Sequence, residues 1–74
     1  TRDSVALEVL RSVERTAAAA PGKVIHVQAS ADVVRWFDEH DVEIRAALAR
    51  RGAPRVIFEA RRAFSRECFA VTTR

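Results

Sequence analysis

The hydrophobic pattern of the chain changes its period at Pro21-Gly22, and this change limits the possible folds more than any other feature. Before the break, apolar residues recur at the spacings of one helical face; they are Ala6, Leu10, Val13, Ala17 and Ala20. The pattern predicts a helix over about residues 4–19, with Asp3 or Ser4 as its N-cap. Proline disfavours a helical residue before it and glycine provides a left-handed turn, so the helix ends there.

A strand pattern follows the break. Over Lys23–Ala29, Ile25 and Val27 alternate with His26 and Gln28, which is the period of a half-buried strand. We therefore expect His26 and Gln28 on a polar, open face of a sheet.

Two further helices are predicted after this strand. Ser30 is expected to cap the second helix, and Asp41 is expected to cap a third helix over about residues 41–51. Gly52 and Pro54 then mark the end of the third helix.

The C-terminal part predicts two more strands, Val56–Phe58 and Glu67–Thr72, joined by a hairpin over Arg61–Arg66. The element order is α-β-α-α-β-β. It predicts an α+β fold of two layers, in which helices cover one face of a three-stranded sheet, because a sheet this small buries only one side well. The relative direction of the first two strands stays open.

The length of 74 residues indicates a single small domain over residues 1–74. A core of this size buries only about 60% of the surface of the unfolded chain, so we expect marginal stability and a partner or parent chain. The chain lacks an initiator Met, and we expect a C-terminal fragment of a longer chain. Its one cysteine forms no internal disulfide and no apolar run approaches the roughly 18 residues of a membrane span, which favours a cytoplasmic location.

The sequence offers little for catalysis. Neither His26 nor His40 has a Cys, His or carboxylate at zinc-ligand or catalytic-triad spacing. Cys68 is expected to be a small buried hydrophobe, and the acidic residues of segment 38–43 are expected to form a solvated helix junction. We therefore expect no catalytic residue, no metal site and no cofactor in this chain.

Positive charge is concentrated towards the C-terminus. Residues 1–44 hold five basic and eight acidic groups, whereas residues 45–74 hold eight basic and two acidic groups. This asymmetry fits a surface that faces a polyanion, and it equally fits a solvated arginine-rich surface. The RNA-binding candidates surround the predicted hairpin, where arginines would neutralise phosphates and an aromatic ring would stack on a base; they are Arg55, Arg61, Arg62, Phe64 and Arg66.

Two successive aromatics, Trp36 and Phe37, lie on the second helix and cannot both point into one small core. We expect Trp36 either to anchor a protein interface or to cover the edge of the core. Together with the open face of the sheet, this gives four interface candidates, which are Trp36, His26, Gln28 and Ile57.

Several segments match a known family in pattern and order. Leu7-Glu-Val-Leu-Arg11 with Glu14 matches a Leu-x-Ile-Leu-Arg-x-x-Glu helix. The later matching segments are the strand Val24–Ala29, the helix Asp32–Phe37, the helix end Ala47-Leu-Ala-Arg-Arg51, the strand 56–59 and the closing Cys68-Phe-Ala-Val71. Over nearly its whole length the chain resembles the small C-terminal domain of the ribonuclease E/ribonuclease G family of bacterial endoribonucleases.

The resemblance implies a non-catalytic domain that packs between protomers and helps to hold together an oligomeric endoribonuclease of RNA processing and decay. It places the family's magnesium-binding carboxylates and its Cys-Pro-x-Cys zinc link outside these residues, so no family site residue carries over. The residues themselves leave an alternative, an RNA-binding module that uses the arginine-rich C-terminal hairpin.

Overall fold

Over the residues that the structure describes, three helices and three strands follow one another in the predicted order, which confirms the α+β class. A computed structural model describes residues 1–53 and 55–73. Pro54, one of the two residues predicted to end the third helix, lies outside the described residues. In chain order the elements are α1 (Arg2–Ala19), β1 (Ile25–Ala29), α2 (Ala31–Glu39), α3 (Asp41–Arg50), β2 (Val56–Ala60) and β3 (Phe69–Thr73).

The strands form one mixed sheet in the order β2-β1-β3. β1 runs parallel to β2, with Ile25 opposite Val56, and this parallel pairing answers the question that the sequence left open. β1 runs antiparallel to β3, with Ile25 opposite Thr73. All helices of the described residues lie on one side of this sheet, as predicted.

The predicted hairpin between the last two strands is wrong. β1 lies between β2 and β3, so residues 61–68, named here the crossover loop, pass the end of β1 to reach the far edge of the sheet. The loop has to span two strand spacings, only about 10 Å. β1 takes the central position because its three inward residues are the most apolar alternating set, and Ile25, Val27 and Ala29 are all fully buried.

The core lies between the helices and the inner face of the sheet. α1 packs against β1 and β3, and α2 packs against β2. Phe37 of α2 stacks on Phe58 of β2, with ring centroids 4.5 Å apart. The buried apolar residues are Val5, Ala6, Val9, Val13, Ala17, Ile25, Val27, Ala29, Val33, Phe37, Leu48, Ala53 and Val56. None of the helices in the described ranges is long and apolar enough to cross a membrane.

The helix starts partly differ from the prediction. α1 begins earlier than expected, because the hydroxyl of Thr1 accepts a hydrogen bond from the backbone N–H of Ser4 at 3.3 Å. The predicted caps Asp3 and Ser4 therefore lie in the first turn. At α2 the prediction is confirmed, because Oγ of Ser30 accepts from the N–H of Val33 at 3.4 Å.

The junction of α2 and α3 is a single residue. The backbone of His40 ends α2 and begins α3, so Asp41 is the first helical residue and not the predicted cap. Asp41 instead accepts a 2.7 Å hydrogen bond from Nε of Arg45, one turn further on.

Glycines terminate the turns that follow α1 and α3. Gly22 has a φ of +80° and Gly52 has a φ of +89°, in the left-handed region that side chains disfavour. A Cβ at either position would meet no atom within 4 Å, so the requirement for glycine comes from the backbone alone.

Candidate functional site

One face of the sheet carries no helix. The alternation of side chains and the strand register place six residues on it, with β1 in the middle. We name this surface the open face; its residues are His26, Gln28, Ile57, Glu59, Ala70 and Thr72. Three of the four interface candidates, His26, Gln28 and Ile57, are therefore neighbours.

A hydrogen-bonded polar group occupies the middle of the open face. Nε2 of Gln28 donates to Oε1 of Glu59 at 3.0 Å, and Nε2 of His26 lies 3.4 Å from the same oxygen. Glu59 was not predicted from the sequence. Its alternation with Ile57 along the strand was a usable signal, but the register that sets Glu59 beside Gln28 was unknown.

An exposed hydrophobic side chain lies directly beside this polar group. Ile57 is opposite His26 in the sheet register and is 51% exposed. It is the most exposed large hydrophobic residue among the described strands. The open face thus combines an exposed apolar side chain, a carboxylate and hydrogen-bond donors.

Trp36 belongs to a different surface. It is partly buried on α2, where its ring stacks on His40 with centroids 4.2 Å apart and meets Phe37 edge-on at 5.1 Å. Nδ1 of His40 also lies 2.8 Å from the carbonyl oxygen of Trp36. Trp36 covers the edge of the core on the helical side, so a flat contact on the open face does not include it.

The structure separates the RNA-binding candidates. Arg61 and Arg62 are exposed in the crossover loop, and neither has an ion-pair partner in the described part of the chain. Phe64 is partly buried in the same loop. Arg55 precedes β2 and lies at the opposite end of the sheet, about 20 Å away along the strand direction.

Arg66, the remaining RNA-binding candidate, forms an ion pair with Asp32. Its Nη2 donates to Oδ2 of Asp32 at 2.9 Å. The hydrogen bond and positive charge of Arg66 lower the pKa of the Asp32 carboxyl, with smaller contributions from Arg35 and Arg2. Of the five predicted RNA-binding residues, Arg61 and Arg62 are therefore the two exposed arginines of the crossover loop that have no described ion-pair partner.

Within residues 1–53 and 55–73 there is no pocket and no group of three potential metal-ligating side chains. Cys68 is exposed, which corrects the expectation of a buried thiol; it falls in the crossover loop just before β3 begins. Its Sγ accepts a hydrogen bond from the hydroxyl of Ser65 at 3.2 Å, and no described histidine contacts it.

The fold and its surfaces define a small α+β domain with an open-faced mixed sheet. Compared with models of protein families, with curated proteins and with solved structures, the chain matches none of them.

Proposed function

We propose that this chain is a non-catalytic assembly domain whose open face binds the open face of a second copy. The observation that carries the proposal is the exposed Ile57 beside the polar group of His26, Gln28 and Glu59. Packing two such faces about a two-fold axis buries both Ile57 side chains. It also brings the Glu59 carboxylate of one copy towards donors of the other, because each face carries donors and acceptors.

The size of the open face predicts a weak contact. Three strands about 4.8 Å apart, each with five residues of about 3.4 Å, cover roughly 240 Å². A standard protein interface buries about 800 Å² on each partner. The isolated domain is therefore expected to associate weakly. Where other contacts already hold two parent chains together, the effective concentration of the two domains would rise to about the millimolar range.

The resemblance to the small domain of the ribonuclease E/ribonuclease G family supplies a setting for this role. In that setting the domain holds together protomers of a cytoplasmic endoribonuclease of RNA processing and decay. The catalytic magnesium and the zinc link then belong to other parts of the parent chain. A weak contact that acts only in combination with others is what such an assembly domain requires.

Sedimentation equilibrium over a range of concentrations tests the contact. Ile57→Glu is expected to raise the dissociation constant about tenfold or more, because it brings like charges together across the two-fold axis. Leu7→Glu is a matched control, since Leu7 is 50% exposed but lies on α1, on the helical side of the sheet. Equal association of Ile57→Glu and the unaltered chain would overturn the proposal.

A second candidate function is RNA binding by the crossover loop, favoured by the adjacent, exposed Arg61 and Arg62. Two phosphate contacts predict a slope of about −1.4 for the logarithm of the binding constant against the logarithm of salt concentration with single-stranded RNA. Arg61→Ala combined with Arg62→Ala should abolish this binding. Arg55→Ala, at the opposite end of the sheet, should leave it unchanged, and absence of binding at low salt would remove the candidate.

A further inference from the structure

The free edge of β3 presents a row of backbone hydrogen-bonding groups. The N–H of Ile25 donates to the carbonyl of Arg55 at 3.0 Å, and the carbonyl of Ala29 accepts from the N–H of Arg61 at 2.8 Å. The backbone N–H and C=O groups of Ile25, Val27 and Ala29 in β1 therefore point towards β2. Because these directions alternate along a strand, His26 and Gln28 point theirs at β3.

The antiparallel register then fixes which residues of β3 face outwards. Thr72 lies opposite His26 and Ala70 lies opposite Gln28, so these two bond to β1. The N–H and C=O groups of Phe69, Val71 and Thr73 point away from the sheet. Among the described residues, no side chain or backbone group of the chain bonds to them.

β3 also lacks the features that usually protect an edge strand. From Phe69 to Thr73 it has no charged residue and no proline, and its pairing with β1 is continuous, without a bulge. Native edges are normally protected by charges, prolines, bulges or covering segments. An unprotected edge of this kind is a template for another strand.

At the other edge of the sheet, a side chain from α3 bonds to the backbone of β2. By the same alternation, Val56, Phe58 and Ala60 point their backbone groups outwards from β2. The carbonyl of Val56 accepts a 2.9 Å hydrogen bond from Nη1 of Arg45, whose guanidinium also lies 5.9 Å from the centre of the Phe58 ring. The Arg45 side chain thus occupies one outward carbonyl of β2, whereas no described group bonds to the outward groups of β3.

We propose that β3 pairs antiparallel with β3 of a second copy about a two-fold axis at Val71, which makes a continuous six-stranded sheet. In this register Val71 faces its own counterpart and Phe69 faces Thr73 of the second copy. Every outward group finds a partner, through about six backbone hydrogen bonds. The inference rests on the proposed assembly role and adds a second contact, separate from the contact between open faces.

A second copy is the occupant that fits this edge best. An uncharged strand pairs with itself without like-charge repulsion, and it carries no charge pattern to select a foreign strand. Copies paired through β3 cannot also bind each other through their open faces; the pairing instead joins two small open faces into one larger surface. The two open faces then lie on the same side of one enlarged sheet.

Amide hydrogen exchange measured by NMR at several protein concentrations tests the pairing with a control inside the same strand. The amides of Phe69, Val71 and Thr73 should become protected as concentration rises, by about tenfold or more. The amides of Ala70 and Thr72 should be protected at every concentration, because they bond to β1 within one copy. If the exchange rates of the three outward amides do not depend on protein concentration, the inference is wrong.

A backbone-modified chain provides a second test. A peptide that starts at Cys68 and carries N-methylated Val71 is ligated to residues 1–67, and the unmodified ligated chain is the control. The N-methyl group blocks an outward donor and keeps the side chain, so the dissociation constant in sedimentation should rise about tenfold or more. An unchanged constant in a chain that folds normally would contradict the edge pairing.

The two variants distinguish contact between the open faces from pairing of the β3 edges. If Ile57→Glu weakens association and the N-methyl group does not, the open face is the contact and edge pairing is wrong. The reverse result would keep edge pairing and reject contact between the open faces. A chain that stays monomeric at all concentrations, with unprotected outward amides, would reject both.

Discussion

Nη2 of Arg66 lies 2.9 Å from Oδ2 of Asp32, and this pair fastens the crossover loop to the first turn of α2. The loop has no helix of its own and connects the two edge strands. The carboxylate also lies where the dipole of α2 favours a negative charge. One exposed ion pair thus connects the crossover loop, three residues before β3 begins, to the helix that follows β1.

Asp32→Asn should lower stability at neutral pH and have less effect in acid. Arg66 lowers the pKa of Asp32 in the folded chain below its ordinary value of 3.8. The stabilisation is therefore complete above that value and is lost as the pH falls through the lowered pKa of the folded state. Urea unfolding at several pH values should show that the free energies of unfolding of Asp32→Asn and of the unaltered chain converge below about pH 4.

A double-mutant cycle is the control for this pair. In an Arg66→Ala background, Asp32→Asn should cost less than it does in the unaltered chain, because the guanidinium partner is already gone. Equal costs in both backgrounds would show that Asp32 acts through the helix dipole and not through Arg66.

Phe37→Ala should destabilise the chain severely. Phe37 is 2% exposed and stacks on Phe58, and such truncations cost about 3–5 kcal/mol. A domain of this length has a total stability of about 4–11 kcal/mol. Val42→Ala, at a position that is 81% exposed, should change the free energy of unfolding by less than about 0.5 kcal/mol in the same urea titration.

Gly52→Ala should lower the free energy of unfolding by about 1–2 kcal/mol. The cost arises from the left-handed backbone, since an added Cβ meets no neighbour. Gly52→Asn should recover part of the loss, because asparagine tolerates this conformation better. Unchanged stability of Gly52→Ala would show that the left-handed backbone does not require glycine here.

Trp36→Ala should reduce stability without changing self-association. Its ring is partly buried against Phe37 and His40, and loss of this packing is expected to cost about 1–2 kcal/mol. The dissociation constant should match that of the unaltered chain, because α2 lies on the other side of the sheet from the open face. Loss of association in a variant that stays folded would move the interface to the helical side.

The helices and strands were predictable because their signals are local. The period change at Pro21-Gly22 and the cap Ser30 each act over a few residues. The strand order was not predictable, because neighbouring strands in sequence usually pair and the short segment 61–68 resembled a hairpin loop. Insertion of β1 between its partners depends on burial against helices from distant parts of the chain.

The open face was predictable only in part. The alternation around Ile25 was enough to place His26 and Gln28 on a shared polar side. Glu59 was missed because its role depends on the parallel register of β2 against β1. The pairing of Arg66 likewise depends on where the first turn of α2 lies, which no local pattern encodes.

The central strand, β1, is also the first of the three strands to be synthesised. Gln28 and Glu59 are 31 residues apart, and His26 and Thr72 are 46 residues apart. No two strands join through a local turn, so the helices form early and closure of the sheet is the slow step. During translation both edges of β1 are unpaired until β2 emerges, and one edge stays unpaired until β3 follows. In that interval the nascent chain is most exposed to aggregation.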